Sequence, residues 1–273
     1  MQTGALMNER AVKQFWDDQA EAFKDSDLAT APDHYYREME ITRIMAHLSN
    51  GHTILDVGCG NGYSTLRFAA AVPSSRIVGV DYSEPMIRYA NAALAKRADI
   101  ESRTAFVVGN VLSLSSNLAI NKEKFDTVVS ERCLINLQNW GEQRAALLQM
   151  RQVLKPGGRI ILTENTQEGL ASLNALRAQF DLPTIGVRWH NNYLPQQELE
   201  KFLSEHFTIE AIENIGNLYY IISRVVYAKL AALEGKEPEY FHPINKIAAQ
   251  LPSLPDYQYS PNFIYVLRLG KNA

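Results

Sequence analysis

The stretch ILDVGCGNGYS, residues 54–64, decides how this chain is read. Apolar residues run into an acid, Asp56, and glycine then occupies every second position at Gly58, Gly60 and Gly62. A buried strand that ends this way brings bare backbone to its carboxyl tip, where a nucleoside can lie against it. The run is G-x-G-x-G. A dinucleotide site asks for G-x-G-x-x-G, and here Tyr63 stands where its third glycine belongs. The phosphate loop G-x-x-x-x-G-K-[ST] is absent as well.

Outward from this stretch, short apolar strands alternate with helical segments. Strands are predicted over 52–57, 76–81, 104–110, 125–131 and 159–165, with helices over 65–72, after Ser83, and over 141–154. Ser83 reads as an N-cap with Pro85 in the first turn. This alternation predicts a doubly wound, mostly parallel sheet with helices on both faces, and ligands bound beyond the carboxyl ends of its strands. Upstream, 8–24 and 35–48 read as helices. Downstream, 195–206 reads as a helix, 207–215 as strand six, 217–235 as a long helix and 262–269 as strand seven.

The resulting fold class is α/β: a Rossmann-like, seven-stranded sheet with an N-terminal helical cap and a helical insertion between strands six and seven. The division expected is a cap over 1–50, a nucleoside-binding core over 51–165, and a substrate-side region with a helical lid over 166–273.

Bulk properties narrow the function classes. The chain has 273 residues, 46% hydrophobic and 21% charged, with net charge −3. That balance does not favour a nucleic-acid binder. Cys59 and Cys133 are too few for a disulfide framework and suit a reducing compartment. MQTGALMNER lacks a signal-peptide apolar core, and no run approaches membrane-spanning length. A cytoplasmic location is the expectation, and no metal cluster is read.

Taken as a set, ILDVGCGNG, VDYSEPM, GNV and LKPGG, in this order and spacing over residues 50–165, resemble the class I S-adenosylmethionine-dependent methyltransferases. The resemblance implies S-adenosyl-L-methionine as cofactor. Asp81, ending strand two, would accept the ribose hydroxyls. Tyr82 and Met86 would flank the adenine, and Asn110 with Val111 would edge it. Asp56 would sit near the cofactor ammonium and Arg37 near its carboxylate.

Methyl transfer is an in-line displacement, so positioning and exclusion of water carry much of the rate. The insertion is the natural lid. At the tip of strand four, SERC replaces the [DN]-P-P-[YF] of nucleic-acid amino-methyltransferases, leaving Glu131 and Arg132 as polar groups for substrate. VRWHNNYLP (187–195) adds His190, whose ordinary pKa suits proton transfer near neutrality, and Tyr193. Tyr220, Arg224 and Tyr227 share one helical face by spacing, against a plain packing alternative. Arg132, Arg188 and Arg224 lean towards an anionic small-molecule acceptor. The reading is thus methyl transfer to oxygen or nitrogen of a small molecule. An RNA or protein methyltransferase and a non-catalytic cofactor-binding protein are the alternatives.

Overall fold

A computed structural model describes residues 8–254 and 258–270. The first seven residues of MQTGALMNER therefore lie outside the described residues. Among the described residues the strands form one seven-stranded sheet in the order β3-β2-β1-β4-β5-β7-β6. The strands are β1 (Thr53–Val57), β2 (Arg76–Asp81), β3 (Thr104–Val108), β4 (Phe125–Glu131), β5 (Leu154–Asn165), β6 (Thr208–Asn214) and β7 (Asn262–Arg268). Pairing is parallel from β3 through β5, while β7 runs antiparallel to both β5 and β6.

Alternation along each strand feeds two apolar layers. Val128, Ile160 and Leu162 pack on one face, and Val129 and Ile161 on the other. Burial on both faces explains why β1, β2 and β4 read as continuous apolar runs. LKPGG, predicted as a break before strand five, lies within β5. Gly157 takes φ +77° and the register with β4 shifts between Phe125 and Thr127.

The helices in chain order are α1 (Glu9–Phe23), α2 (His34–His47), α3 (Tyr63–Ala71), α4 (Glu84–Leu94), α5 (Trp140–Val153), α6 (Gln167–Ala178) and α7 (Gln196–His206). The long helix 217–233 is composite. It joins α8 (Asn217–Tyr220), a π-helical segment Ile221–Val226, and α9 (Tyr227–Leu233). α10 (Pro243–Ala248) follows. Ser83 caps α4 by accepting from the Met86 N–H, and Pro85 sits in the first turn. α6 was not anticipated, although Thr166 caps it through the Gly169 N–H. No helix among the described residues is long and apolar enough to cross a membrane.

Position in the sheet follows from this topology. β1 and β4 are neighbours, with chain crossing to opposite sides of the sheet at their carboxyl tips, so a crevice opens there. α1, α2, the 185–193 loop and helix 217–233 stand around that crevice and supply its outer walls.

Candidate active site

The glycine turn after β1 is stitched to β2: the Gly58 and Cys59 N–H groups both donate to the Val80 carbonyl, at 2.8 and 3.1 Å. Gly58 has φ +74°, and a Cβ there would meet Cys133 Cβ and Sγ at 2.7 Å. Conformation and space both demand glycine. Gly62 is different. At φ +78° it begins α3, and a Cβ would strike the Phe106 ring at 2.7 Å. It does not line the cavity, so its expected place at the cofactor gives way to packing against Phe106.

A cavity of about 290 Å³ occupies the crevice. Asp56, Gly58, Gly60, Asp81, Tyr82, Met86, Asn110, Val111 and Arg37 line it, as do Glu131, Arg132, His190 and Tyr193. The sequence-predicted residues other than Gly62 are thus brought to one space.

On the nucleoside side, Asp81 accepts from the Gly60 and Ser83 N–H groups, each at 2.9 Å. Burial nevertheless raises its pKa to about 6. Burial raises Asp56 to about 7, while the Thr65 hydroxyl, donating at 2.5 Å, works the other way. Asn110 spends its groups differently from the expectation. Its amide donates to Glu9 at 3.1 Å and its oxygen caps the following turn at the Leu112 N–H.

Deeper at the β4 tip lies a buried charge cluster. Arg132 adopts φ +53°, an uncommon conformation for a side chain of its size, and its N–H donates to the Thr163 carbonyl. Its guanidinium pairs with Glu40 at 3.0 Å and Glu131 at 3.4 Å. Burial opposes ionisation of Glu131, but Arg37 and Arg132 outweigh it and hold this carboxyl below its usual range. Glu40, wholly buried, is raised by desolvation to about 8, so it is mostly protonated at neutral pH. Arg37 donates to Asp27 O, Thr30 Oγ1 and Ser64 Oγ, and burial lowers its pKa.

Beyond the cluster the chamber turns aromatic. His190 stacks on Phe15 with ring centroids 4.1 Å apart, between the edges of Trp16 and Trp189. Burial, then the Arg188 charge, depresses its pKa to about 4. The near-neutral titration expected from its sequence setting is therefore corrected: at neutral pH this is an uncharged imidazole. Its Nδ1 finds no partner among the described residues. Trp16 Nε1 donates to Asn136 Oδ1 at 3.0 Å, tying α1 to the turn after β4.

On the opposite wall Arg224 pairs with Asp33, and the Tyr219 hydroxyl donates to the same carboxylate at 2.6 Å. Tyr220 and Arg224 line the cavity, but Tyr227 does not. Tyr227 stacks on His242 at 4.2 Å, because the π-helical segment breaks the expected i, i+4, i+7 face. Sequence reading missed Glu40, Asp33 and Tyr240. Only Glu40 had a signal: an acid on the apolar face of α2, four residues from both Tyr36 and Ile44.

The donor set suits the implied cofactor. Paired N–H donors fix Asp81 beside the glycine turn, Arg37 Nε and Tyr82 Oη are buried without partners among the described residues, and the Gly58 cradle has no room for a side chain.

A sequence model described as a methyltransferase domain matches residues 48–206. Curated relatives include a demethylmenaquinone methyltransferase of Lactococcus lactis, 33% identical over 44% of each chain. Another is a ubiquinone/menaquinone biosynthesis C-methyltransferase of Syntrophotalea carbinolica, 32% identical over 51% of this chain and 56% of its own. The chain spans about half the length of the curated relatives it matches. Among solved structures, the magnesium protoporphyrin IX methyltransferase of Synechocystis with bound S-adenosylhomocysteine superposes with TM-score 0.62. That match has 15% identity and covers 96% of this chain and 100% of that one, a likeness of fold.

The chain belongs to the methyltransferase-domain family.

Proposed function

We propose that this enzyme methylates an oxygen or nitrogen of a small molecule seated between the cofactor groove and helix 217–233, with His190 receiving the acceptor's proton. When bound, S-adenosylmethionine supplies an electrophilic methyl on a sulfonium. The observation that carries the reading is the chamber itself. It adjoins the glycine turn, its walls are aromatic, and His190 Nδ1 is buried there without a partner among the described residues. As the acceptor oxygen bonds to the methyl carbon its proton becomes strongly acidic, so an imidazole of pKa about 4 is basic enough to take it. His190 would then pass the proton on to solvent at the chamber mouth.

In this reading Glu131 and Arg132 shape the chamber floor, and Tyr193 orients the acceptor from beside Asn165. Arg37 meets the cofactor carboxylate. Of the three arginines that lean towards an anionic acceptor, Arg132 and Arg224 are already paired with acids. Arg188, exposed at the mouth, is the cation offered to an acidic group.

The test is a metabolite screen for S-adenosylhomocysteine release, followed by His190→Ala on any accepted substrate. kcat should fall about 100-fold with S-adenosylhomocysteine affinity within about twofold. An unchanged kcat removes His190 from the reaction. A second reading, transfer to carbon, is favoured by the relative named as a C-methyltransferase. NMR of the product separates the two, since carbon-, oxygen- and nitrogen-bound methyls resonate apart.

A further inference from the structure

A second hollow, of about 280 Å³, lies outside the chamber, between α1, the loop leading to α2, and the 240–241 turn. Phe15, Phe23, Leu28 and Phe241 are walls of this hollow alone. Trp16, Thr30, Ala31, Pro32, Arg188 and Tyr240 line both spaces. The two are therefore adjoining rooms that share these six residues. Arg188 is the single charged residue among the walls of the outer room.

This surface is costly to leave wet. Phe241 is 54% exposed, Phe23 39% and Tyr240 38%, and Trp189 beside His190 is 55% exposed. Clustered apolar exposure of this sort marks a binding surface. The inner room holds the polar groups: the Glu131–Arg132 cluster, His190 and Tyr193. The outer room holds almost none. The polarity thus changes from one room to its neighbour, and a molecule that fills both must change polarity with it.

We infer that the outer room holds the apolar portion of the methyl acceptor, whose reacting polar end lies in the chamber. The acceptor is an amphipathic small molecule, with a hydroxyl or amine head and an alkyl, isoprenoid or fused-ring tail. The inference rests on the proposed transfer to a small molecule and adds its substrate class.

A series of 4-alkylphenols from ethyl to heptyl probes it, titrated calorimetrically into the protein saturated with S-adenosylhomocysteine. Affinity rises about two- to fourfold per added methylene as each enters the outer room. Phe241→Ser and Phe23→Ser, both surface changes away from the glycine turn, flatten that slope while S-adenosylhomocysteine affinity stays within about twofold. A flat slope in the unaltered protein overturns the inference, as does a slope that neither substitution changes. Concentration-dependent dimerisation that Phe241→Ser abolishes overturns it too, since a second copy then covers the groove. Failure to bind S-adenosylhomocysteine at all would instead strike the transferase reading, so the two failures are told apart.

Discussion

At the scale of the residue, the site is governed by carboxyl groups that burial keeps from ionising. Glu164 is wholly buried and accepts from the Leu134 N–H at 2.7 Å and the Ile135 N–H at 3.3 Å. Burial still raises its pKa to about 8. An unfolded glutamate titrates near 4.5, so between these values the folded state holds the extra proton. Its contribution to stability is whole below about 4.5 and is lost as pH rises through about 8. Thermal unfolding of the ligand-free protein between pH 5 and 9 should show a falling midpoint, and Glu164→Gln should flatten the fall. Arg132 is a second case. Removing it leaves Glu131 ionised and buried with one counter-charge fewer. Arg132→Ala should cost about 3 kcal/mol in chemical denaturation, and adding Glu40→Gln should recover none of it, because Glu40 is already neutral. Full recovery by the double variant would show that Glu40, rather than Glu131, carries the charge.

Elements show where the sequence was legible. α1, α2 and α4 announced themselves through apolar spacing and caps, and β1 to β5 through apolar runs between turns. α6 did not, since QEGLASLNALRA has a glycine in its first turn and carries serine and asparagine inside. Tertiary structure explains that glycine: a Cβ on Gly169 would lie 2.7 Å from the Ser260 carbonyl oxygen and 2.9 Å from Pro261 Cα. Helix propensity alone favours Gly169→Ala by roughly 1 kcal/mol. Backbone collision opposes it by about 1–3 kcal/mol. The collision should win, lowering the melting temperature; a rise would mean that the 260–261 segment yields easily. Helix 217–233 was foreseen in extent but not in winding. Its π-helical segment turns Tyr227 towards His242 and leaves the Arg224 carbonyl to accept from the Arg177 guanidinium.

For the whole molecule, the half proposed to hold the cofactor was readable because its signals are local: a strand, an acid and glycines at its tip. The half proposed to take the acceptor is assembled from α1, the 185–193 loop, α6 and helix 217–233, segments far apart in the chain. Asp33, Tyr240 and His190 meet only through the fold, and no spacing rule joins them. One global prediction follows from the buried acids of the cofactor half. Asp56 and Asp81, at about 7 and 6, are partly protonated at pH 6 in the free protein. A ligand carrying net positive charge favours their ionised forms, which already prevail at pH 8. The rise in melting temperature produced by S-adenosylmethionine should therefore grow from pH 6 to pH 8, more than the rise produced by S-adenosylhomocysteine, which lacks the sulfonium charge and is neutral overall. Equal growth for both would uncouple these acids from the sulfonium.

Asp33 belongs to two bodies at once. Its Oδ1 caps α2 at the Tyr36 N–H and takes the Tyr219 hydroxyl, while Oδ2 holds Arg224. Raising helix 217–233 would strip a buried anion of its cation and of the Tyr219 hydroxyl in the same stroke, leaving the α2 cap charged and bare. Those two walls therefore behave as a fixed jaw. α1 is pinned as well, by Trp16 to Asn136 at its middle, by Glu9 to Asn110 at its start and by Asp17 to Ser83, so the rim of the mouth is riveted from both flanks.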